Sequence, residues 1–580
     1  MEPIPTYLGP RSRVQQARHM RTMSGLSFDA SLVFPPNSNT TTGRLKLPFL
    51  GGFYLSDMIM AAWVVSVNIL RTCSIAEVVD MVCLFAWYHL TALLSDMRQR
   101  RRAYTHTPSY FYAYTLCVTQ LLMHYFPFLA PRVALAPESH GPIIQWRTGG
   151  GAATLIRPYH QAPNFRAYWI SRRHRRAPEP LATMPRVVVL YVHGGGFALG
   201  SVALYTEPLL RILGHMEHMS PSLTVDCVAL EYDLMPHAHF PAPLLQVLRC
   251  YAHLIEAERI PASRIVLAGD SAGGNLVLSA LLCLSGQGTS EVAERNWASL
   301  PMPGKAVLIS PWVDLRPREA WSTERVRHAT KLKPSLDILS AECLVQFAQW
   351  YAGVLKRPRR IMGPVTHLCE SLYGTSFPLL RWCREWLERP LLRYGKRILP
   401  PEEAVSDPIR STSELFDATS LAHKTPTTPA ERRLETSPLL SPTLGDWRAV
   451  SLEHGFFVTW GANELMARDI QAWSERVTHA TCYVESGGSG VHVWPFFHAL
   501  LAPTMTERER GLQLLARAMM EGVSTTFVPY SSETDSPTSM PSDIEDMDDE
   551  GPRSMQEAWD AELAQIGVKL QSASTFSQNL

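Results

Sequence analysis

The sequence has no excess of charge of either sign and no paired cysteine motif. Its 580 residues include 54 Lys and Arg against 53 Asp and Glu, so it lacks the basic field that a nucleic-acid partner requires. The ten cysteines form no C-x-x-C pair and no Cys/His cluster at zinc spacing. A Gly-Lys-Ser/Thr phosphate loop is also missing. These absences argue against a nucleic-acid-binding, metal or redox protein, and we expect neither a metal nor an organic cofactor.

Both ends of the chain are polar, whereas a hydrophobic content of 46% indicates a sizeable core. Residues 1–46 are basic and show no core pattern, which predicts a flexible tail. Residues 531–550 contain acidic side chains and no Lys or Arg, so they cannot bury enough apolar surface to fold. We therefore predict a disordered acidic tail over 524–580 and one domain over about 140–523.

Three apolar segments follow the basic tail, at 47–70, 76–94 and 109–131. The first is about long enough to cross a bilayer as a helix, which takes about 20 residues. Basic clusters flank the first two segments, as is typical of membrane anchors. Polar residues such as Asp57 and Glu77 favour a second interpretation, in which the segments are amphipathic helices packed on the following domain. We expect membrane association and leave the number and orientation of spans open.

From about residue 142, short apolar strands alternate with helical segments. Strands are predicted at 142–147, 153–158, 186–192, 223–232, 264–269, 305–310, 455–460 and 480–485. This alternation predicts an α/β fold with a mainly parallel central sheet and helices on both faces. Residues 336–353 predict a lid helix, and the insertion at about 355–435 is partly polar and predicted to be disordered. Its amphipathic part, 377–399, is either a solvated helix or a helix lying on a membrane surface.

The strand 264–269 leads into Gly-Asp-Ser-Ala-Gly-Gly and then a helical segment. Gly-x-Ser-x-Gly between a strand and a helix is typical of a nucleophile elbow, with Ser271 at the sharp turn. Gly269 and Gly273 are needed because side chains there would crowd the strand–helix crossing. We expect Asp270 to anchor hydrogen bonds locally and not to be the acid that orients the base.

Residues 193–197, His-Gly-Gly-Gly-Phe, directly follow the strand 186–192. The run His193, Gly194, Gly195 and Gly196 leaves backbone N–H groups unshielded, as the oxyanion of an acyl-transfer intermediate requires. A plain glycine-rich turn is the alternative. The serine turn downstream favours the oxyanion loop.

Together, these two motifs resemble the hormone-sensitive-lipase-like branch of the α/β-hydrolases, the esterase group that includes arylacetamide and steryl-acetate deacetylases. Residues 231–236 (Glu-Tyr-Asp-Leu-Met-Pro) and 310–315 (Ser-Pro-Trp-Val-Asp-Leu) are also similar to that family. The resemblance covers about 142–355 and 437–523. It departs at Asp233 and His237, where the family usually has arginine and glutamate. It implies an α/β-hydrolase fold with a helical lid, ester hydrolysis, and association with the endoplasmic reticulum membrane.

The resemblance also implies a base and an acid, in the chain order Ser, Asp/Glu, His. His492 follows a glycine-rich loop directly after the strand 480–485 and matches the family's base position. His479 precedes that strand, and His498 lies in an apolar helical run that favours a packing role. Glu464 lies three residues after Gly461, where the family carries its acid, usually aspartate. Asp469 is the alternative acid.

These residues predict two-step acyl transfer. His492 removes the Ser271 proton, Glu464 stabilises the imidazolium, and the N–H groups of Gly194, Gly195 and Ala272 bind the oxyanion. The expected substrate is an acetyl or short-to-medium acyl ester of an apolar molecule or lipid. The alternative is a catalytically silent relative that binds a lipid or a partner. The oligomeric state is left open.

Overall fold

The computed structural model describes residues 48–50, 53–87, 110–125, 156–171, 186–220, 223–316, 337–355, 364–372, 376–389, 428–486, 490–523 and 571–572, apart from residues 163 and 503. The predicted basic tail, the strand 142–147 and most of the acidic tail lie outside these ranges. So does the part of the insertion between residues 390 and 427. The domain boundaries drawn from composition stay predictions.

The described ranges contain short strands at both ends of the chain and a run of longer strands between them. The strands are β1 (Pro48–Leu50), β2 (Phe53–Tyr54), β3 (Ile156–Ala162), β4 (Phe165–Ile170), β5 (Arg186–Val192), β6 (Thr224–Leu230), β7 (Ile265–Asp270), β8 (Lys305–Ile309), β9 (Phe456–Gly461), β10 (Ala480–Glu485) and β11 (Gln571–Ser572).

Helices precede the central strands, alternate with them and fill part of the insertion. They are α1 (Leu55–Thr72), α2 (Ile75–Trp87), α3 (Tyr110–Tyr125), α4 (Val202–Met219), α5 (Ala242–Glu256), α6 (Ser271–Leu284), α7 (Ala341–Tyr351), α8 (Pro364–Ser371), α9 (Pro378–Leu387), α10 (Pro429–Thr436), α11 (Ala467–Ser474), α12 (Trp494–Leu501) and α13 (Met505–Met520).

Nine of these strands form one sheet in the order β11-β10-β9-β8-β7-β5-β6-β4-β3. The strands from β10 to β6 pair in parallel, and β11, β4 and β3 join the two edges in antiparallel. The register sets Val192 opposite Gly269, and Asp270 opposite Ile309. Since parallel strands end at the same edge of a sheet, the loops after β5, β7, β8, β9 and β10 meet there. The predicted fold class is confirmed.

The side chains of β5 alternate between two apolar clusters, one on each face of the sheet. Leu190 packs with α5 and α6 in the larger cluster, through residues such as Leu244 and Leu276. Val189 packs with α4 and α13 in the other, through residues such as Leu209 and Leu512. Such burial of both faces is what a near-continuous apolar strand requires.

The helices before the sheet pack against the insertion. The carboxylate of Asp80 on α2 accepts hydrogen bonds from the backbone N–H groups of Val365 (2.8 Å) and Thr366 (2.7 Å), at the start of α8. The N–H of Ile75 donates to the carbonyl of Arg389, just after α9. A carboxylate stabilises the N-terminus of a helix because it accepts hydrogen bonds from N–H groups that have no partner within the helix.

In the described residues, the apolar segments near the start of the chain form α1, α2 and α3. In the described part of the chain, no helix combines the length and the apolarity that a span needs. α1 has 18 residues, whereas α2 has 13 and buries Glu77 and Asp80. Glu77 accepts a hydrogen bond from the N–H of Ser74, and Asp80 accepts hydrogen bonds from the N–H groups of Val365 and Thr366.

Candidate active site

The turn between β7 and α6 has the geometry of a nucleophile elbow. Ser271 has φ +51° and begins α6 directly after Asp270 ends β7. A Cβ at Gly269 would lie 2.8 Å from the carbonyl oxygen of Val192, and one at Gly273 would collide with it. Only glycine fits at these two positions, so strand and helix can approach closely and hold a left-handed serine between them.

The structure brings three predicted residues into one hydrogen-bonded chain. Nε2 of His492 lies 2.9 Å from Oγ of Ser271, and Nδ1 of His492 lies 2.7 Å from Oε2 of Glu464. The other carboxylate oxygen of Glu464 accepts the N–H of Gly461 at 2.9 Å. The imidazole is therefore oriented with one nitrogen towards a carboxylate and the other towards the serine hydroxyl.

All three side chains are buried, and burial shifts the pKa values of His492 and Glu464. It lowers the pKa of His492 below 6.5, although the nearby carboxylates of Asp337 and Asp270 oppose this. Burial raises the pKa of Glu464 well above 4.5, against the hydrogen bonds from Gly461 and the Ser310 hydroxyl. A neutral imidazole can accept a proton, so the lowered pKa suits a general base at neutral pH.

The alternative residues lie elsewhere. His479 is exposed in the turn before β10, where its carbonyl accepts the N–H of Phe456. His498 is buried on α12 with its ring edge-on to that of Trp494, 5.2 Å between centroids. Asp469 lies in the first turn of α11, where its charge acts on Arg316. Among the candidates weighed, His492 contacts Ser271 and Glu464 contacts His492.

The glycine loop needs one correction. The N–H of Gly194 donates to Oδ1 of Asp270 at 2.9 Å, so it is not available to an oxyanion, contrary to the prediction. Within the described residues, no hydrogen bond is found from the N–H groups of Gly195, Gly196 and Ala272. Which N–H of a glycine run points at the serine depends on backbone angles, and the sequence does not reveal them.

Asp270 holds the loop in place, as predicted for a hydrogen-bond anchor. Its buried carboxylate accepts the hydroxyl groups of Tyr191 (2.7 Å) and Tyr205 (2.8 Å) besides the Gly194 N–H. Burial raises the pKa of Asp270, and these three donors oppose that shift because they stabilise the anion. The residue preceding Ser271 therefore ties the elbow to the glycine loop.

His193 shapes the start of the same loop. Its Nδ1 lies 2.8 Å from the Gly194 carbonyl oxygen, and its own carbonyl accepts the hydroxyl of Tyr232 at 2.9 Å. The two rings stack with 4.4 Å between centroids. Gly200 has φ +87° and leaves room for the imidazole, since a Cβ there would lie 2.9 Å from Nδ1. His193 thus supports the backbone of the loop.

The departure from the family at Asp233 is accommodated locally. Asp233 pairs with Arg166 on β4 at 2.7 Å and exchanges two hydrogen bonds with Gln246. The neighbouring Glu231 accepts the N–H of Val202 at the start of α4. Asp233 and Glu231 therefore have hydrogen-bond or ion-pair partners within the domain.

Two residues that join the site were not found from the sequence. The Ser310 hydroxyl accepts the N–H of Val493 at 3.0 Å. Asp337 accepts the backbone N–H groups of His492 and Leu465, each at 3.0 Å. Both bind backbone groups, which carry no sequence signal, and Asp337 belongs to no motif. In the described ranges, no group of His, Cys, Asp and Glu side chains is arranged to hold a metal ion.

Comparison with known proteins identifies the domain. Residues 189–373 match a family model described as alpha/beta hydrolase fold. An acetyl-hydrolase of Streptomyces hygroscopicus is 36% identical over 179 residues, which are 31% of this chain and 51% of that protein. Neutral cholesterol ester hydrolase 1 of Mus musculus is 33% identical over 106 residues, 17% of this chain and 24% of that protein. The chain thus spans about half or less of these curated relatives.

A solved structure described as an esterase from the bacterial hormone-sensitive lipase (HSL) family covers 74% of this chain and 96% of its own, at 20% identity and a TM-score of 0.37. The family match and the sheet order define the class: the chain contains an α/β-hydrolase domain. Within that class, the resemblance to the hormone-sensitive-lipase-like branch is confirmed.

Proposed function

We propose that this protein is a serine-dependent carboxylic ester hydrolase. The observation that carries the proposal is the hydrogen-bonded chain from Ser271 through His492 to Glu464, at 2.9 and 2.7 Å. A serine hydroxyl becomes a useful nucleophile when an oriented base accepts its proton. The curated relatives, an acetyl-hydrolase and a cholesterol ester hydrolase by name, support the same reaction class.

The reaction proceeds in two steps. His492 takes the proton of Ser271 as its Oγ attacks the ester carbonyl carbon, and the imidazolium then returns that proton to the leaving alcohol. Water attacks the acyl-enzyme in the second step, with His492 again as the base, releasing the carboxylic acid and free Ser271. The N–H groups of Gly195, Gly196 and Ala272 stabilise the oxyanion, with Gly196 replacing Gly194.

The substrate is an ester of an apolar molecule with a small acyl group. The ring of Phe347 on α7 packs against Gly196 so closely that a Cβ there would lie 2.6 Å from it. Phe197 stacks on Tyr351 with 3.7 Å between centroids. These aromatic side chains, which are packed beside the oxyanion loop, support an apolar substrate with a small acyl group.

The test is turnover of p-nitrophenyl esters of increasing acyl length by the wild type and by Ser271→Ala. We expect the wild type to prefer the short esters and the variant to lose essentially all turnover. Ser285→Ala, at the other end of α6, is the matched control and keeps its activity. Equal turnover in wild type and Ser271→Ala contradicts the proposal, and a wild type without turnover favours the silent, ligand-binding alternative.

We propose further that the protein works at a membrane surface, with the endoplasmic reticulum as the compartment suggested by the family resemblance. Large apolar side chains on and beside α1, α2 and α9 are exposed, and α2 contacts α9. They include Trp63 (66%), Trp87 (66%), Phe377 (67%), Leu379 (70%) and Trp382 (56%). Exposed aromatic and aliphatic groups of this kind suit the boundary between lipid headgroups and acyl chains.

Co-sedimentation with phosphatidylcholine vesicles tests this second proposal. The wild type should pellet with the vesicles, and Trp382→Glu with Leu379→Glu should weaken pelleting. Met219→Glu, an exposed apolar position at the end of α4, is the control. Fractionation of cells against an endoplasmic reticulum marker tests the compartment. A wild type that stays in the supernatant of both experiments overturns the membrane proposal without affecting the esterase proposal.

A further inference from the structure

A carboxylate outside the hydrogen-bonded chain lies between its acid and its base. Asp337 is fully buried and precedes α7 by three residues. Its Oδ2 accepts the N–H of Leu465, the residue after Glu464, at 3.0 Å. Its Oδ1 accepts the N–H of His492 itself at 3.0 Å and that of Ile338 at 2.8 Å. One side chain therefore binds the loops after β9 and β10 together.

Two backbone hydrogen bonds also join these segments, from the N–H of Ala462 to the carbonyl of Glu485 and from the N–H of Asn463 to the carbonyl of Gly490, each at 2.9 Å. The N–H groups of Leu465 and His492 need an acceptor, because a buried donor without one destabilises the folded protein. The Asp337 carboxylate accepts both N–H groups at once and, together with those backbone hydrogen bonds, sets the distance between the two loops at Glu464 and His492. Since Glu464 and His492 sit on those loops, their 2.7 Å hydrogen bond depends on how the loops are spaced.

The charge of Asp337 also acts on the imidazole. Its carboxylate raises the pKa of His492 against burial, as that of Asp270 does to a smaller extent. Burial and the nearby Glu464 carboxylate raise the pKa of Asp337 to about 6, while His492 and the two backbone N–H groups oppose that shift. Three carboxylates, of Glu464, Asp337 and Asp270, thus act on one imidazole. Of these three carboxylates, Glu464 is the one that forms a hydrogen bond with a ring nitrogen.

We propose that Asp337 is a positioning residue, which holds His492 and Glu464 in hydrogen-bond register and stabilises the imidazolium formed during acyl transfer. This inference rests on the proposed esterase function. Asp337 also lies just before the N-terminus of the lid helix α7, and this helix places Phe347 against Gly196. The same short segment therefore supports both the base and the aromatic side chain beside the oxyanion loop.

Steady-state kinetics of Asp337→Asn and Asp337→Ser test the inference. Asn is nearly isosteric but neutral, and Ser keeps a single acceptor. We expect kcat to fall about 10- to 100-fold with KM nearly unchanged, the size of effect that a small misplacement of reacting groups produces. Loss of the negative charge also lowers the pKa of His492, so the acid limb of the kcat/KM profile moves to lower pH. Asp337→Glu restores the charge and moves the limb back.

The matched control is Asp226→Asn, which neutralises an equally buried carboxylate paired with Arg186 at 3.0 Å, towards the other ends of β5 and β6. We expect it to lower the melting temperature and to leave the acid limb in place. Circular dichroism shows whether each variant folds. A structural role alone would lower kcat without moving the acid limb.

The outcomes separate this inference from the proposed function. A wild type that neither hydrolyses esters nor reacts with a fluorophosphonate overturns both. An active wild type whose Asp337→Asn and Asp337→Ser variants keep kcat and the acid limb overturns the positioning role alone. Failure of both variants to fold, with Asp226→Asn folded, also overturns it, because Asp337 would then serve the fold.

Discussion

Glu464 is the residue on which the candidate site departs from the aspartate usual in its family. Its carboxylate reaches Nδ1 of His492 at 2.7 Å and is fixed from the other side by the Gly461 N–H. Glu464→Gln should lower kcat by about 10³- to 10⁴-fold, the order measured when a triad carboxylate becomes an amide. Glu464→Asp should lose much less, since it keeps the charge. Steady-state kinetics of purified variants measure both.

Asp469→Asn is the control for this prediction. Asp469 lies in the first turn of α11, and we expect its variant to keep wild-type kcat. A loss in Asp469→Asn equal to that in Glu464→Gln would return the acid role to the alternative residue.

The pH dependence of hydrolysis follows from the lowered pKa of His492. The base works only when neutral, and burial makes the imidazole lose its proton below pH 6.5. Activity should therefore be present at neutral pH and fall only as the pH drops below 6.5. The kcat/KM profile measures this, and its acid limb belongs to the coupled carboxylate–imidazole group as a whole. An acid limb centred above pH 7 contradicts the prediction.

Asp270 gives a prediction about the oxyanion loop. Asp270→Asn cannot accept all three donors that the carboxylate accepts, so at least one of Tyr191, Tyr205 and the Gly194 N–H loses its partner. We expect a loss of about 1–3 kcal/mol in the free energy of unfolding, with a fall in kcat as the loop relaxes. Chemical denaturation measures the free energy of unfolding, and steady-state kinetics measure kcat. Unchanged stability and activity would mean that the anchor is dispensable.

Motif residues were predictable from the sequence because their side chains carry the chemistry. Ser271 lies in the turn that the strand and the glycines predicted, and His492 and Glu464, which the family resemblance implied, lie in one hydrogen-bonded chain with it. The role of the Gly194 N–H was not predictable, because the direction of a backbone N–H follows from φ and ψ. Asp337 was not predictable either, since its partners are backbone groups and its segment has no motif.

At the scale of elements, apolar β-branched runs were sufficient to place most strands of the sheet. β5 and β10 agree with the predicted bounds, and β7 and β9 shift by one residue. β4 (Phe165–Ile170) was not predicted. It is an antiparallel strand near the sheet edge, where one side chain in two can meet solvent.

The contact between α2 and α8 gives a prediction for the elements around the sheet. Asp80→Ala removes the acceptor for the N–H groups of Val365 and Thr366. We expect the free energy of unfolding to fall by about 0.5–2 kcal/mol, as for the loss of other helix N-caps. Turnover of a water-soluble ester should stay at the wild-type rate. Thermal unfolding and kinetics measure these, with the exposed Asp446→Asn as the control. An Asp80→Ala variant as stable as wild type would show that this contact is incidental.

At the scale of the whole molecule, the parallel sheet brings motifs that are distant in the sequence into one site. The glycine loop, the elbow, the acid and the base lie between residues 193 and 492, and the common carboxyl edge of the strands brings them together. That outcome was predictable, since alternating strands and helices imply a parallel sheet with its working edge. The packing of the N-terminal helices on the insertion was not, because apolar segments of similar length suit either a bilayer or a protein surface.

The central claim is that Ser271 is a nucleophile activated by His492. Intact-protein mass spectrometry and peptide mapping after treatment with a fluorophosphonate test it most directly. We predict one adduct per chain, on Ser271, which is absent in Ser271→Ala and forms far more slowly in His492→Ala. The absence of an adduct on the folded wild type, or an adduct on another residue that forms equally fast in His492→Ala, would contradict the claim.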